Sequence, residues 1–428
     1  MVIKLLVIAD DFTGALDTGV QFTACGAVTR VVTRVWDGYD SLASSVQVLV
    51  IDAETRHLSK AEAYKVVYDI AENALKYDIP YIYKKTDSAL RGNVGSELKA
   101  LKDAAGVKIL PFVPAFPQMG RITKHGIHFI NGKPVRESVF GRDPFEPVEC
   151  SYIPDIIHRQ TDTAVVVAEK GWEETSLRND ADAIVVFDAV EYDDILTIAN
   201  QLRQMGMMKV IAGCAGFAAS LPHLLGLNGD VIHIPEFDPG LLVICGSVNP
   251  ITGKQLDAAE KAGFIRIRLQ PEQKLMRDFW KSKEGICYLD EISEKFSNNK
   301  FCIIDTNDKP GISETIDYAG LHGFTLEEAR KSIANTLGKL LKELMGKGIK
   351  KTMLITGGDT LLGFMEYMGI YEMEPIYEMA PGTVLSAFRI EETSYQVISK
   401  SGGFGDEDLL IRLAEKIEKR RKRYDNPI

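Results

Sequence analysis

The sequence predicts an α/β protein made of two three-layer α/β domains with largely parallel sheets. Three observations carry that expectation. Short β-branched runs recur along the chain, each followed by a polar or glycine-rich turn and then a helical pattern. The runs are continuously apolar rather than alternating, so their strands should be covered on both faces. The pattern breaks at residues 234–240, where Pro235, Pro239 and Gly240 interrupt it, and then resumes in the same style. That break divides the chain into residues 1–235 and 236–428.

The first strand is expected at Leu5–Ala9. The apolar run that contains it begins at Met1 and Val2 and is too short to span a bilayer. It lacks the basic leader and small-residue cleavage site of a signal peptide. Further strands are expected at 46–51, 81–83, Ile109–Val113, Ala164–Ala168, 184–187 and 210–212. In the second part they are expected at Leu241–Cys245, Phe301–Asp305, Thr352–Thr356 and 395–398, with a long helix near 326–345 and a closing helix from Asp408. The basic stretch at 416–422 is read as a solvated helix end. There is no internal repeat and no low-complexity tract.

With 45% hydrophobic and 26% charged residues, the chain has globular rather than disordered composition. Its net charge of −10 speaks against nucleic acid as a partner, while a few local Arg and Lys residues can still hold a small anion. Nothing in it calls for a membrane. The cysteines (Cys25, Cys150, Cys214, Cys245, Cys287, Cys302) show no C-x-x-C spacing, which speaks against a zinc site or redox dithiol. Several lie in apolar runs and are read as buried free thiols, so a reducing, cytoplasmic compartment is expected.

Directly after the first strand comes Ala9-Asp10-Asp11-Phe12-Thr13-Gly14-Ala15-Leu16-Asp17-Thr18-Gly19. Loops at the carboxyl ends of strands are where open α/β sheets bind ligands. A lone aspartate there would be read as a helix N-cap. The pair Asp10 and Asp11, with Thr13 and Asp17, is read as functional: adjacent carboxylates can orient hydroxyls, take a proton or hold a metal. The spacing is not the Asp-x-Asp-x-Thr of haloacid-type phosphatases. Arg56 follows the second strand and is either a carboxylate ligand or a surface residue. After residues 81–83, the segment Lys84-Lys85-Thr86-Asp87-Ser88-Ala89-Leu90-Arg91-Gly92 crowds both signs of charge into a turn. Its cations suit an acidic substrate, and Arg91 has the planar fork that clamps a carboxylate or phosphate. The loop from Pro114 to Arg121 is a lid or a wall, and His125 and His128 nearby lack the companions of a metal site.

The second part has neither a P-loop nor a G-x-G-x-x-G after a strand. It has three glycine turns, each after a strand: Gly246-Ser247, Thr356-Gly357-Gly358-Asp359-Thr360, and Ser401-Gly402-Gly403-Phe404-Gly405. Glycines let backbone N–H groups converge on phosphate oxygens, and a helix N-terminus adds a favourable dipole. Three such turns in one domain point to a phosphate or nucleotide site. Gly382 is either a fourth contact or a plain turn.

Together these segments resemble the four-carbon acid sugar kinases, which include D-threonate, D-erythronate and 3-oxo-tetronate kinases. The matching residues are 9–19, 52–56, 84–95, 114–120, 246–255, 356–360 and 400–405, in the family's order and across nearly the whole chain. The resemblance implies an active site in the cleft between the two domains. Residues 1–235 would bind a small anionic sugar acid through Asp11, Thr13, Arg56, Lys84, Lys85, Asp87, Ser88, Arg91 and Gly92. Residues 236–428 would bind ATP through Ser247, Thr356, Gly357, Gly358, Asp359, Thr360, Gly382, Ser401, Gly402 and Gly403. Phosphate would go to the terminal hydroxyl of a tetronate, with Mg²⁺ bridging the phosphates through ligands the sequence does not name. Asp10 or Asp11 would take the hydroxyl proton, Arg91, Arg56 and Lys85 would neutralise the substrate carboxylate, and Asp87 would orient hydroxyls or a cation. Val248, Asn249 and Asp359 depart from the family's usual residues. A kinase for another polyhydroxylated acid, or a non-catalytic sensor, remains an alternative, and a homodimer stays open.

Overall fold

The computed structural model describes residues 3–33, 45–143, 146–172, 182–230, 234, 236–309 and 313–425. Met1, Val2 and Pro235 lie outside them, as do the side chains of the basic stretch beyond residue 420. The chain divides into two compact units, Met1–Ile232 and His233–Ile428.

The N-terminal unit runs β1 (Leu5–Ala9), α1 (Phe12–Thr23), β2 (Thr29–Val32), β3 (Val48–Asp52), α2 (Lys60–Lys76), β4 (Tyr81–Lys85), α3 (Val94–Ala105) and β5 (Ile109–Val113). It continues with β6 (Arg121–Lys124), β7 (Ile127–Ile130), β8 (Lys133–Pro134), α4 (Ile153–His158), β9 (Ala164–Ala168), β10 (Ala183–Phe187), α5 (Tyr192–Gln204), β11 (Val210–Gly213) and α6 (Ala215–Ala218). The main sheet is parallel in the order β2-β3-β1-β4-β11-β5-β10-β9. Strands β1, β3 and β10 are buried along their whole length, as continuous apolar runs require. At the sheet edge β9 alternates in exposure instead. Leu6 and Ile8 of β1 pack with Val67 and Ile70 of α2 and Leu98 and Leu101 of α3.

Strand order reverses around β1: the chain goes first to β2 and β3 on one side, then to β4 on the other. At such a switch point the loops part and leave a crevice at the carboxyl ends of the strands. The loops after β1, β3 and β4 meet there. Strands β3 and β4 end further along the chain than the sequence suggests. Lys84 and Lys85 belong to β4 and Asp52 to β3, because parallel pairing with Ala9 extends each ladder to these residues. The antiparallel β6-β7-β8 sheet was not expected. The loop from Pro114 to Arg121 enters it through backbone bonds between Phe116 and Arg121.

The C-terminal unit runs β12 (Leu241–Cys245), α7 (Pro250–Lys261), β13 (Ile265–Arg268), α8 (Pro271–Leu275), α9 (Lys283–Asn298), β14 (Phe301–Asp305), α10 (Glu314–Leu321) and α11 (Leu326–Gly346). Then come β15 (Thr352–Thr356), α12 (Gly358–Met368), β16 (Glu372–Ala380), β17 (Thr383–Ile390), β18 (Thr393–Lys400) and α13 (Leu409–Asp425). Its sheet order is β13-β14-β12-β15-β18-β17-β16, parallel as far as β18. The last three strands form an antiparallel meander. Pro381 and Gly382 make its first hairpin turn, with Gly382 at φ +65°. No helix among the described residues is long and apolar enough to cross a membrane.

Candidate active site

Asp10 and Asp11 follow β1 directly. Asp11 is the N-cap of α1: its carboxylate accepts from the Gly14 N–H at 3.2 Å and from the Thr13 hydroxyl at 2.7 Å. The cap holds this carboxylate rigidly. Arg56, on the loop after β3, reaches over both: its Nη2 lies 2.6 Å from Asp10 Oδ2, 2.6 Å from Asp11 Oδ1 and 3.5 Å from Asp87 Oδ1. Lys85 at the end of β4 donates to Asp10 at 3.0 Å and Asp11 at 3.2 Å. A side chain at position 14 would collide with this pair, since a Cβ there would lie 1.9 Å from Lys85 Nζ.

Asp87 accepts from Arg91 Nε at 2.9 Å and Nη2 at 3.1 Å, a two-point fork, while Arg91 Nη1 reaches Asp143 at 3.2 Å. Burial would raise the Asp11 carboxyl, but the charges of Arg56 and Lys85 outweigh it and hold it well below the usual range. Asp87 is held low in the same way, against burial, by Arg91 and Arg56. Asp52 goes the other way: burial, Glu54 and Asp11 push it well above the usual range. The switch point thus carries carboxylates held ionised by interleaved buried cations, with Asp52, pushed the other way, beside them.

Asp10, Asp11, Thr13, Arg56, Lys85, Asp87 and Arg91 come together in this cluster. Gly92 adjoins it: at φ +80°, a Cβ there would lie 2.9 Å from Arg56 Cγ. Lys84 is not brought in. It points to the other face of β4, fully buried, 3.0 Å from Glu97 and donating to the carbonyls of Ile8 at 3.3 Å and Lys85 at 2.6 Å. Side chains alternate along a strand, so two consecutive lysines cannot share a face. Lys84 ties the ends of β1 and β4 together from behind.

Ser88 is nearly buried and accepts from Arg121. In sequence Arg121 reads only as the end of the loop from Pro114. It is buried, and with Arg91 it faces the Phe140 ring, at 5.4 and 5.1 Å. Its position at the start of β6 depends on the small antiparallel sheet, which no local pattern announced. His128 is buried between Ser88 and Thr123, and burial pushes it down to about 4, so it is neutral near pH 7. Among the described residues no group of three or more His, Cys, Asp or Glu is placed to hold a metal ion.

In the C-terminal unit the three glycine turns follow β12, β15 and β18, which are neighbours in the sheet. Cys245 pairs with Thr356 and Thr356 with Lys400, so the strands end level. Gly246 N–H donates to the Thr356 carbonyl at 3.1 Å and Ser401 N–H to Gly382 at 3.0 Å. Ser247, Thr356, Gly357, Gly358, Thr360, Gly382, Ser401 and Gly402 thus lie at one end of one sheet, beside the N-termini of α7 and α12. A Cβ at Gly402 would lie 2.4 Å from Ser247 Oγ, so the turns touch. Gly403 follows in the same turn. The unusual residues fit locally. Asn249 caps α7 through its side chain, accepting from Ile251 N–H at 3.0 Å. Val248 is exposed, and Asp359 is in the first turn of α12, 3.6 Å from Arg330.

Residues 5–221 match the family model described as a sugar-binding N-terminal domain, and residues 242–410 the one described as a nucleotide-binding C-terminal domain. The D-threonate kinase of Salmonella typhimurium strain LT2 is 28% identical, covering 95% of this chain and 96% of that protein. The D-erythronate kinase of Heliobacterium modesticaldum is 27% identical, covering 95% of each chain. The 3-oxo-tetronate kinase of Burkholderia multivorans is 24% identical, covering 94% of each. A solved Salmonella typhimurium protein shares the fold with a TM-score of 0.76 at 21% identity, over 96% of this chain and 99% of that one. A Haemophilus influenzae protein does so with a TM-score of 0.68, also at 21% identity, over 97% and 99%.

Proposed function

The chain belongs to the four-carbon acid sugar kinase family, and we propose that it transfers the γ-phosphoryl group of ATP to the terminal hydroxyl of a four-carbon acid sugar. Threonate, erythronate and 3-oxo-tetronate are the candidates, and the reaction belongs to cytoplasmic carbohydrate breakdown. The observation that carries this reading is the buried cluster at the N-terminal switch point, where Asp10, Asp11 and Asp87 are interleaved with Arg56, Lys85 and Arg91. A polyhydroxylated carboxylate needs both kinds of partner: cations for its carboxylate and ionised oxygens for its hydroxyls.

In this account residues 1–235 hold the sugar acid and residues 236–428 hold ATP. Arg56, Lys85 and Arg91 offset the substrate's charge. Asp11, ionised and fixed by Thr13 and Gly14, orients the attacking hydroxyl and accepts its proton, with Asp10 as the other candidate. Asp87 orients substrate hydroxyls. The backbone of the three glycine turns holds the phosphates. Phosphoryl transfer demands little covalent chemistry from a protein, so positioning and charge account for most of the catalysis. Mg²⁺ takes phosphate oxygens, waters and one or two carboxylates rather than a full protein cage, and would neutralise phosphate charge. Asp359, on the first turn of α12, is the carboxylate that the glycine turns themselves offer.

Phosphorus NMR of the product tests the chemistry. With ATP, Mg²⁺ and an accepted tetronate, the new ester should couple to two protons on one carbon, as a CH₂–O–phosphate does. Coupling to a single proton would place transfer on a secondary hydroxyl and refute the assignment.

A further inference from the structure

Lys400, the last residue of β18, is fully buried beneath the glycine turns. Its ammonium donates to the Ser401 carbonyl at 3.0 Å and to the Thr252 hydroxyl at 3.2 Å. Thr252 in turn donates to the Gly402 carbonyl at 3.0 Å. In register beside Lys400 stand Thr356 of β15 and Thr383 of β17, whose buried hydroxyls have no hydrogen-bond partner. The main chain joins the same junction, with Gly357 N–H donating to the Lys400 carbonyl at 3.4 Å.

This cation has no carboxylate paired with it among the described residues. From β12 comes Cys245, whose thiol burial and Asp305 push up to about 12, so it is neutral. Behind Cys245, Asp305 of β14 is tied to Arg266 of β13 at 2.6 Å. From α7 come Thr252 and, at the surface, Lys254 paired with Glu407 at 3.0 Å. Strands β15 and β17 bring only the two threonines. Burying an ammonium without a counter-charge is costly, and two neutral acceptors offset only part of that cost.

We propose that Lys400 is the charge of the nucleotide cradle, an ammonium set under the three glycine turns to answer the phosphates of bound ATP. The proposal rests on reading this unit as the nucleotide-binding one. Lys400 acts here as a positioning residue: it holds the Ser401–Gly402 turn through Thr252 and supplies positive potential beneath the backbone N–H groups. A consequence follows from linkage. Burial pushes Lys400 down to about 8. Phosphates favour the charged form, so ATP binding raises that value and takes up a proton. At pH 8 uptake should be about half a proton per ATP, approaching one at higher pH. Apparent ATP affinity should fall about tenfold between pH 7 and pH 9.

The test is calorimetric titration of the full chain with ATP and Mg²⁺, without acid sugar, at pH 7, 8 and 9, in two buffers of different ionisation enthalpy. The expected result is buffer-dependent heat that reports proton uptake at pH 8 and 9, and that disappears in Lys400→Met along with the pH dependence of affinity. The wild-type titrations stand alone if that variant does not fold. ATP binding with no proton uptake and equal affinity from pH 7 to 9 overturns the proposal and leaves the nucleotide reading intact. No ATP binding at any pH overturns both.

Discussion

Replacing Arg56 with methionine removes the cation that joins three carboxylates while keeping much of its stem volume. In the native protein its Nη2 is 2.6 Å from Asp10, 2.6 Å from Asp11 and 3.5 Å from Asp87, with the side chain 9% exposed. Deleting one partner of a buried ion pair costs about 3–5 kcal/mol, because the remaining charge is left without compensation. The sign with pH follows from the carboxyls. Asp11 and Asp87 are held below their usual range, so the stability they contribute is present above an unfolded value of about 3.9 and is lost as pH falls through the folded values. Arg56→Met forfeits part of that contribution. Its deficit should be largest near neutral pH and should shrink below about pH 4, where protonation relieves the repulsion. At a urea slope of about 2 kcal/mol/M, the deficit moves the midpoint by about 2 M at pH 7. Two units need not unfold together, so the readout is hydrogen exchange of peptides spanning β1 and β4 along a urea series. A deficit under about 1 kcal/mol at pH 7 would mark an ordinary surface pair and refute the reasoning. A deficit that grows on acidification would refute it as well.

Further outcomes follow from the same geometry. Asp11→Asn should keep ATP affinity and lower kcat by about 10²–10⁴, the usual range for losing a general base; near-normal turnover in both this variant and Asp10→Asn puts the base elsewhere. Lys84→Met should destabilise the N-terminal unit by about 3–5 kcal/mol by stranding Glu97, and adding Glu97→Leu should restore most of it, as denaturant midpoints would show. Gly402→Ala places a Cβ 2.4 Å from Ser247 Oγ. It should weaken ATP binding by about 1–3 kcal/mol of overpacking and leave acid-sugar binding unchanged in separate titrations.

The α/β class and most strands were legible because a buried parallel strand is a short unbroken apolar run, and Leu5–Ala9, Ile109–Val113, Leu241–Cys245 and Phe301–Asp305 stand where those runs are. The site loops were legible because chemistry at a sheet's carboxyl end follows such a run directly, as Asp10 follows Ala9 and Gly246 follows Cys245. What stayed hidden depends on pairing at a distance. Lys84 and Lys85 look alike in a string of letters, and only the ladder with β1 shows that one faces the carboxylates and the other Glu97. Arg121 reaches Ser88 through the small β6-β7-β8 sheet, whose strands are too short and mixed to stand out. The β16-β17-β18 meander had a visible turn in Pro381-Gly382. The turn alone does not show that the strands on either side of it pair antiparallel.

The measurement that bears most directly on the account is ADP release with Mg²⁺ and ATP against a panel of acids: D- and L-threonate, D- and L-erythronate and 3-oxo-tetronates, with longer aldonic acids as controls. Robust turnover with a four-carbon acid and little with the longer ones is expected. ATP binding without turnover on any four-carbon acid would contradict it.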